Sequence, residues 1–168
     1  MKACHYIDPI HRMELRAADI GDAKLLYSWV NDSDVRRMSF SPDRIRWCDH
    51  ERWFKGKLSD GGTRIYIGVC DDGECFGQIR FDILDGGECG IDVHVAKIFM
   101  GRGLGTWLIS KGVGLFFDEF PDIDKVHGVI KACNVRSINA FRKAGFIDDG
   151  KVTVCGEECF RLLKAVAT

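Results

Sequence analysis

The chain contains no apolar run approaching the roughly 20 residues that cross a bilayer as a helix, which excludes a helical membrane protein. Its start, Met-Lys-Ala-Cys-His-Tyr-Ile-Asp-Pro, lacks the apolar segment of a secretory leader. Charge of one sign is missing too: 24 Lys and Arg stand against 25 Asp and Glu, a net charge of −1. No overall field draws such a chain to nucleic acid or to an anionic membrane, and neither is expected as a partner. Eight cysteines are present, yet no two are spaced Cys-x-x-Cys. A zinc site is therefore not expected. Most of the cysteines read as small apolar side chains in a reducing compartment, and with the missing leader this points to the cytoplasm. Repeats, low-complexity tracts and linkers are also lacking. What remains is a chain of 168 residues, 46% hydrophobic and 29% charged, long enough for one domain with its own core.

Periodicity predicts a mixed α+β chain. A helix over 19–30 puts Ala23, Leu26 and Trp29 on one stripe, with Leu25 beside it. A loop covers 39–47, and a second helix over 49–58 places Trp53, Phe54 and Leu58 together. Three alternating runs follow, carrying Ile65 to Val69, Cys75 to Phe81 and Cys89 to Val95. Turns at 71–74 and 85–87 join them as hairpins. A helix from Leu104 turns Leu104, Trp107, Leu108, Leu115 and Phe116 to the sheet. A strand over 126–132 then returns parallel to the third run. A short helix from Asn134 and two strands near 146–155 and 158–165 close the domain.

The segment Met-Gly-Arg-Gly-Leu-Gly-Thr at 100–106 is the most informative. It joins an alternating run to an amphipathic one, so a glycine turn precedes a helix start. Bare N–H groups at a positive helix end bind phosphate without side-chain charge. Glycine lets the backbone approach a ligand and adopt dihedrals that a Cβ opposes. The dinucleotide fingerprint does not fit the spacing, and no Gly-Lys-Ser/Thr closes a kinase-type phosphate loop. Downstream comes Asn134-Val-Arg-Ser137-Ile-Asn-Ala-Phe141-Arg-Lys143-Ala-Gly145-Phe146, with Ser137, Ile138, Phe141 and Ala144 at helical spacing and Gly145 as a stop.

In this order and separation the two segments resemble the GNAT superfamily of acetyl-coenzyme A N-acetyltransferases. In that family the first reads Gln/Arg-x-x-Gly-x-Gly/Ala and holds the pyrophosphate. The second reads Asn-x-x-Ser/Ala-x-x-x-Tyr-x-Lys-x-Gly-Phe and flanks the pantetheine arm. Here Met100 replaces the usual Gln or Arg, leaving backbone contacts alone at that position. Phe141 replaces the Tyr thought to protonate the departing thiolate, so that proton must come from water or another group. Along the first half, Trp29-Val-Asn-Asp, Val35-Arg-Arg-Met, His50-Glu-Arg-Trp53-Phe and Gly77-Gln-Ile-Arg80-Phe-Asp resemble a narrower branch. That branch holds ribosomal-protein N-terminal acetyltransferases and the nucleotide-sugar N-acetyltransferases of the pseudaminic acid pathway.

The resemblance implies a GNAT-like α+β fold with a mixed, mostly antiparallel central sheet flanked by helices. Met13-Glu-Leu-Arg matches the usual first strand, which makes 1–12 an extension and 13–168 a single domain. It implies acetyl-CoA as donor, direct attack by an amine, and a homodimer as the common assembly. Gly101, Arg102, Gly103, Leu104, Gly105 and Thr106 are the candidates for the pyrophosphate. Asn134, Ser137, Phe141 and Lys143 are those for the rest of the cofactor, although Asn134 also suits a helix cap and Phe141 a core position. Val93 and Val95 mark the main chain where the family's sheet splays open and a backbone N–H meets the thioester oxygen. His94 and Asp92 share one face of that strand, and an imidazole titrating near ~6.5 suits proton abstraction. A solvent-facing strand carries such residues for no special reason, so both readings stand. For the acceptor, a nucleotide-linked amino sugar, Trp29, Arg36, Arg37, His50, Trp53 and Arg80 supply cations for phosphates and aromatic faces for rings. Burial on helical stripes is the competing role for the two tryptophans. A peptide N-terminus as acceptor, or coenzyme A binding without catalysis, are the alternatives.

Overall fold

The computed structural model describes residues 5–8, 13–84 and 88–166. Its strands are β1 (His5–Asp8), β2 (Met13–Ala17), β3 (Thr63–Cys70), β4 (Cys75–Ile83), β5 (Cys89–Val95), β6 (Lys125–Lys131), β7 (Ile147–Val154) and β8 (Glu157–Ala165). Its helices are α1 (Ala23–Val30), α2 (Ser33–Met38), α3 (Trp47–Ser59), α4 (Leu104–Glu119) and α5 (Val135–Lys143). The strands form one sheet in the order β1-β2-β3-β4-β5-β6-β8-β7. Every neighbouring pair is antiparallel except β5 and β6.

Apolar residues alternate along the strands and cover both faces. On one face α4 lies against β4, with Phe81 stacked on Phe116 at 4.3 Å between ring centroids. Gly112 permits this approach, since a Cβ there would stand 2.8 Å from Ile79 Cδ1. On the other face Ala23, Leu26 and Phe54 pack on Ile65, Ile67 and Val69. Burying such side chains stabilises by about 1.5–3 kcal/mol each, which makes these two layers the main source of stability.

The β meander, the parallel return and the two closing strands agree with the periodicity. Four readings need correction. The helix over 19–30 begins as a 3₁₀ turn at Ile20–Asp22, because Asp22 accepts the Asp19 N–H at 2.9 Å and pairs with Arg16 at 2.7 Å; α1 starts after it. α2 was not foreseen: it has no buried residue and hence no apolar stripe, and Asp32 caps it. Along α4 the buried stripe is Leu108, Ile109, Gly112, Val113 and Phe116, whereas Leu104, Trp107 and Leu115 are half-buried. Of the described cysteines only Cys89 and Cys159 are buried, while Cys48, Cys133 and Cys155 are exposed free thiols. Burial pushes the Cys89 thiol up to about 12. The turn at 85–87 lies outside the described residues. Within the 1–12 extension, β1 pairs antiparallel with β2.

One departure from regular pairing positions everything that follows. β4 and β5 pair without interruption from Ile83↔Cys89 to Gly77↔Val95, but β5 and β6 pair only at Gly90↔His127. Beyond that point they diverge and open a cleft through the sheet.

Candidate active site

The glycine turn and α5 enclose a cavity of about 330 Å³. Gly101 and Gly103 have φ of +80° and +79°, the left-handed region that disfavours a Cβ. Gly103 is the N-cap of α4, and no side chain caps that helix. The first α4 backbone bond is donated by Trp107 to Gly103, so the N–H groups of Leu104, Gly105 and Thr106 have no partner inside the helix. Arg136 and Lys143 line this cavity and no carboxylate does. Bare amides, a positive helix end and two cations suit a diphosphate. Lys143 was foreseen; Arg136 and Asn139 were not. Their spacing of 3 and 4 residues along α5 was a visible signal, since it puts 136, 139 and 143 on one stripe. Arg102 instead lies over Phe99, its guanidinium carbon 5.5 Å from the ring centroid. Met100 offers more than backbone, because its sulfur accepts from Arg136.

The cavity opens into a larger one of about 640 Å³, which shares Val95, Met100, Gly105, Arg136 and Ala140 with it. This second cavity is the cleft between β5 and β6, closed at its far end by α2. The main chain of Ala96 donates to Phe76 on β4. Main-chain groups alternate sides along an antiparallel strand, so Val95 and Val93 point theirs away from β4, towards the gap. Donors fixed there have no strand opposite to satisfy them.

His94 and Asp92 occupy the face of β5 that looks to α1 and α2. His94 packs against Trp29 at 5.5 Å between centroids. Its Nε2 is buried and has no partner among the described residues. Burial holds the imidazole below its ordinary pKa, with Asp92 and Asp32 opposing, so the ring is neutral near pH 7. Asp92 is half exposed, accepts from Gln78 Nε2 at 3.1 Å and lies 3.8 Å from the Arg80 guanidinium.

The remaining candidates disperse. Asn134 lines the cleft, but its Oδ1 accepts the Ser137 N–H at 3.3 Å as the cap of α5. Ser137 and Phe141 also line it. Phe141 is buried against Phe146 at 4.9 Å, so its ring belongs to the core as well. Arg36 donates to the carbonyls of Ser41 and Asp43 and holds the loop after α2. Arg37 lines the cleft and pairs with Asp34 at 3.0 Å. His50 is away from both cavities: it is buried, and its Nε2 stands 3.0 Å from the Ala23 carbonyl. Trp53 is 40% exposed and covers Arg80, which pairs with Asp82 at 2.7 Å. Arg36 and Arg80 are thus engaged within the fold, whereas Arg37 is 69% exposed at the cleft. The pairs Arg37–Asp34 and Arg80–Asp82 are close in sequence, whereas the Trp53 ring over Arg80 and the Asp92 carboxylate beside it are set by tertiary contact.

Next to Asp92 the sheet face over β6, β8 and β7 continues the acceptor side. It carries Lys131 paired with Glu157 at 2.6 Å, and Arg161 between Glu88 at 3.3 Å and Asp149 at 3.1 Å. The cleft itself is lined by two carboxylates, Asp34 and Asp92, and by three cations, Arg37, Lys131 and Arg136.

A cleft beside an uncapped glycine turn, edged by main-chain donors with no strand opposite, suits acyl transfer on a GNAT-type fold. A profile described as "Acetyltransferase (GNAT) domain" matches residues 12–147, and the chain belongs to that family. It is an acetyl-CoA-dependent N-acetyltransferase. An aminoglycoside N(6′)-acetyltransferase type 1 from Klebsiella pneumoniae is 29% identical over 154 residues, covering 83% of this chain and 76% of that protein. A kanamycin resistance protein from Rhizobium radiobacter is 39% identical over 70 residues, covering 41% of this chain and 64% of that protein. The crystal structure of an aminoglycoside acetyltransferase with coenzyme A superposes with a TM-score of 0.78 at 26% identity, covering 90% of this chain and 94% of that one. A spermidine N-acetyltransferase from Vibrio cholerae, with CoA and spermine, gives 0.81 at 15% identity over 92% and 95%, a likeness of fold. These relatives support the superfamily and acetyl-CoA; they do not support the nucleotide-sugar and ribosomal-protein branch. No helix of the described residues is long and apolar enough to cross a membrane.

Proposed function

We propose that the chain acetylates a primary amine of a small polyamino compound, of the aminoglycoside or polyamine kind, within a catalytic unit spanning 13–168. The observation that carries the catalytic part is the buried, partnerless Nε2 of neutral His94, set in a cleft continuous with the glycine cradle. The amides at 101–106, with Arg136 and Lys143, hold the diphosphate of the donor. When bound, acetyl-CoA supplies the activated thioester. The N–H groups of Val93 and Val95 face the place where the carbonyl oxygen gains charge. His94 Nε2 accepts the proton of the attacking amine. Phe141 has no hydroxyl to donate, so proton delivery to sulfur falls to solvent.

The acceptor class rests on the aminoglycoside acetyltransferase relatives and on Asp92, an exposed carboxylate two residues from His94 on the same face of β5, where a protonated amine can pair. A nucleotide-linked amino sugar needs free cations, and Arg36 and Arg80, two of the three arginines expected to serve it, are occupied. The exposed thiols of Cys48, Cys133 and Cys155 suit a reducing compartment, and we place the enzyme in the cytoplasm. Thiol release from acetyl-CoA decides among acceptors, with kanamycin, spermidine, a nucleotide amino sugar and an N-terminal peptide in parallel. Highest kcat/KM on kanamycin or spermidine is the expected result. Highest kcat/KM on the nucleotide sugar or the peptide overturns the acceptor class, and coenzyme binding without turnover overturns the catalytic reading.

A further inference from the structure

Gln78 is a buried polar side chain that the reaction as described does not use. It sits on β4 directly opposite His94 in the register, while Arg80 sits opposite Asp92. Its Nε2 donates to Oδ2 of Asp92 at 3.1 Å, and the Arg80 guanidinium lies 3.8 Å from the same oxygen. Both interactions fall on Oδ2, so Oδ1 is the oxygen left for an incoming ammonium. Arg80 is itself fixed. Its Nε reaches Asp82 Oδ2 at 2.7 Å, and the other Asp82 oxygen is held by Lys57 at 2.7 Å and Thr63 at 3.1 Å. A chain of alternating charge thus runs from α3 to the lip of the cleft and ends on Asp92.

We propose that Gln78 is a positioning residue for Asp92: it pins one carboxylate oxygen so that the other aims the acceptor amine at the His94 side of the cleft. This inference rests on the acceptor reading above. A free aspartate on a strand edge samples several rotamers, and an unpinned carboxylate holds an ammonium without directing it. A buried amide donor fixes the plane of the carboxylate, and a hydrogen bond to a charged acceptor is stronger than one between neutral groups. Arg80 lies too far for a hydrogen bond and acts by charge, so Gln78 alone supplies direction.

A double-mutant cycle of Gln78→Leu and Asp92→Asn tests it, read as kcat and KM for whichever of kanamycin or spermidine turns over faster. Gln78→Asn is a second variant, too short to reach Oδ2, and thermal unfolding of each confirms the fold. Gln78→Leu and Gln78→Asn should each lower acceptor kcat/KM about tenfold, the size of one such hydrogen bond, with KM for acetyl-CoA unchanged. In the Asp92→Asn background the Gln78→Leu loss should shrink below twofold, because the charged second oxygen that would hold the ammonium has become an amide NH₂. Equal losses in both backgrounds overturn the inference, as does an unimpaired Gln78→Leu enzyme beside an impaired Asp92→Asn enzyme. An Asp92→Asn enzyme with full turnover, or inactivity of the parent protein on both acceptors, overturns the acceptor reading and this inference with it.

Discussion

At the scale of single residues, His94 and His50 show how one side chain type divides by environment. Both rings are held below the ordinary histidine pKa, in each case first by burial. His50 Nε2 is satisfied by the Ala23 carbonyl, so that ring joins α3 to α1. His94 Nε2 is buried without a partner among the described residues, on a side chain that lines the cleft. We expect His94→Gln to lower kcat by about 10²-fold, within the range typical of a lost general base. Coenzyme A affinity by calorimetry should change less than twofold. The parent enzyme should lose kcat/KM only below about pH 6.5, since a depressed histidine pKa keeps the base neutral above the ordinary value. That acid limb should vanish in the variant. A retained limb would assign it to another group.

Among the elements, the glycine turn was legible in the sequence, whereas α2 was not. The turn is written in local chemistry: glycine at two left-handed positions and an uncapped helix behind them. The three glycines are nevertheless unequal. Gly103→Ala meets open space but keeps a positive φ, so it should cost about 1 kcal/mol of stability from that strain alone. Gly105 lies inside α4 at ordinary φ, with Val95 Cγ2 at 3.7 Å and Ala140 Cβ at 3.9 Å from an added Cβ. Gly105→Ala should therefore raise stability by about 0.5–1 kcal/mol through helix propensity. It should weaken coenzyme A, because the methyl enters a wall of both cavities. Thermal unfolding and calorimetry on the two variants separate strain from obstruction; equal Tm shifts would refute the distinction. By contrast, α2 buries nothing of its own and is held by neighbours. Lys97 pairs with Asp34 at 3.0 Å, and Asn31 exchanges two hydrogen bonds with Ile45 in the following loop. No period in Ser33–Met38 reports such contacts, which is why no element is read there from the sequence.

For the whole molecule, charge and burial set how the fold responds to solution conditions. Three histidines, His50, His94 and His127, have folded pKa values lowered first by burial. The unfolded chain binds their protons near ~6.5 and the folded chain resists them, so protonation favours unfolding. Stability should be full above pH 6.5 and fall as the pH drops through the folded values. Carboxylates held low in the fold, such as Asp22 and Asp82, add their loss only below about pH 4. Urea midpoints at pH 7.5 and 5.5 should show the decline, and a flat response would contradict the burial of these rings. Coenzyme A at a hundred times its Kd should stabilise the fold by about 2.7 kcal/mol. At that same concentration, the rise in Tm should shrink in an Arg136→Ala, Lys143→Ala double variant. An undiminished rise would remove both cations from the diphosphate site.

By itself the sequence determined the strand and helix periods, the glycine turn before α4, the donor and the family, because each depends on neighbours close along the chain. Hydrophobic alternation, glycine at strained dihedrals and a helix start need no distant partner. Only the tertiary structure decided which charges remain free. Arg36, Arg37 and Arg80 look alike as residues, yet Arg36 holds the carbonyls of the loop after α2 and Arg80 lies under Trp53, while Arg37 stays exposed at the cleft. The same holds for the divergence of β5 from β6, the buried Nε2 of His94 and the carboxylates gathered from β5, β7 and β8. Coulomb energy and desolvation depend on distance in space, and a linear order of residues does not contain that distance.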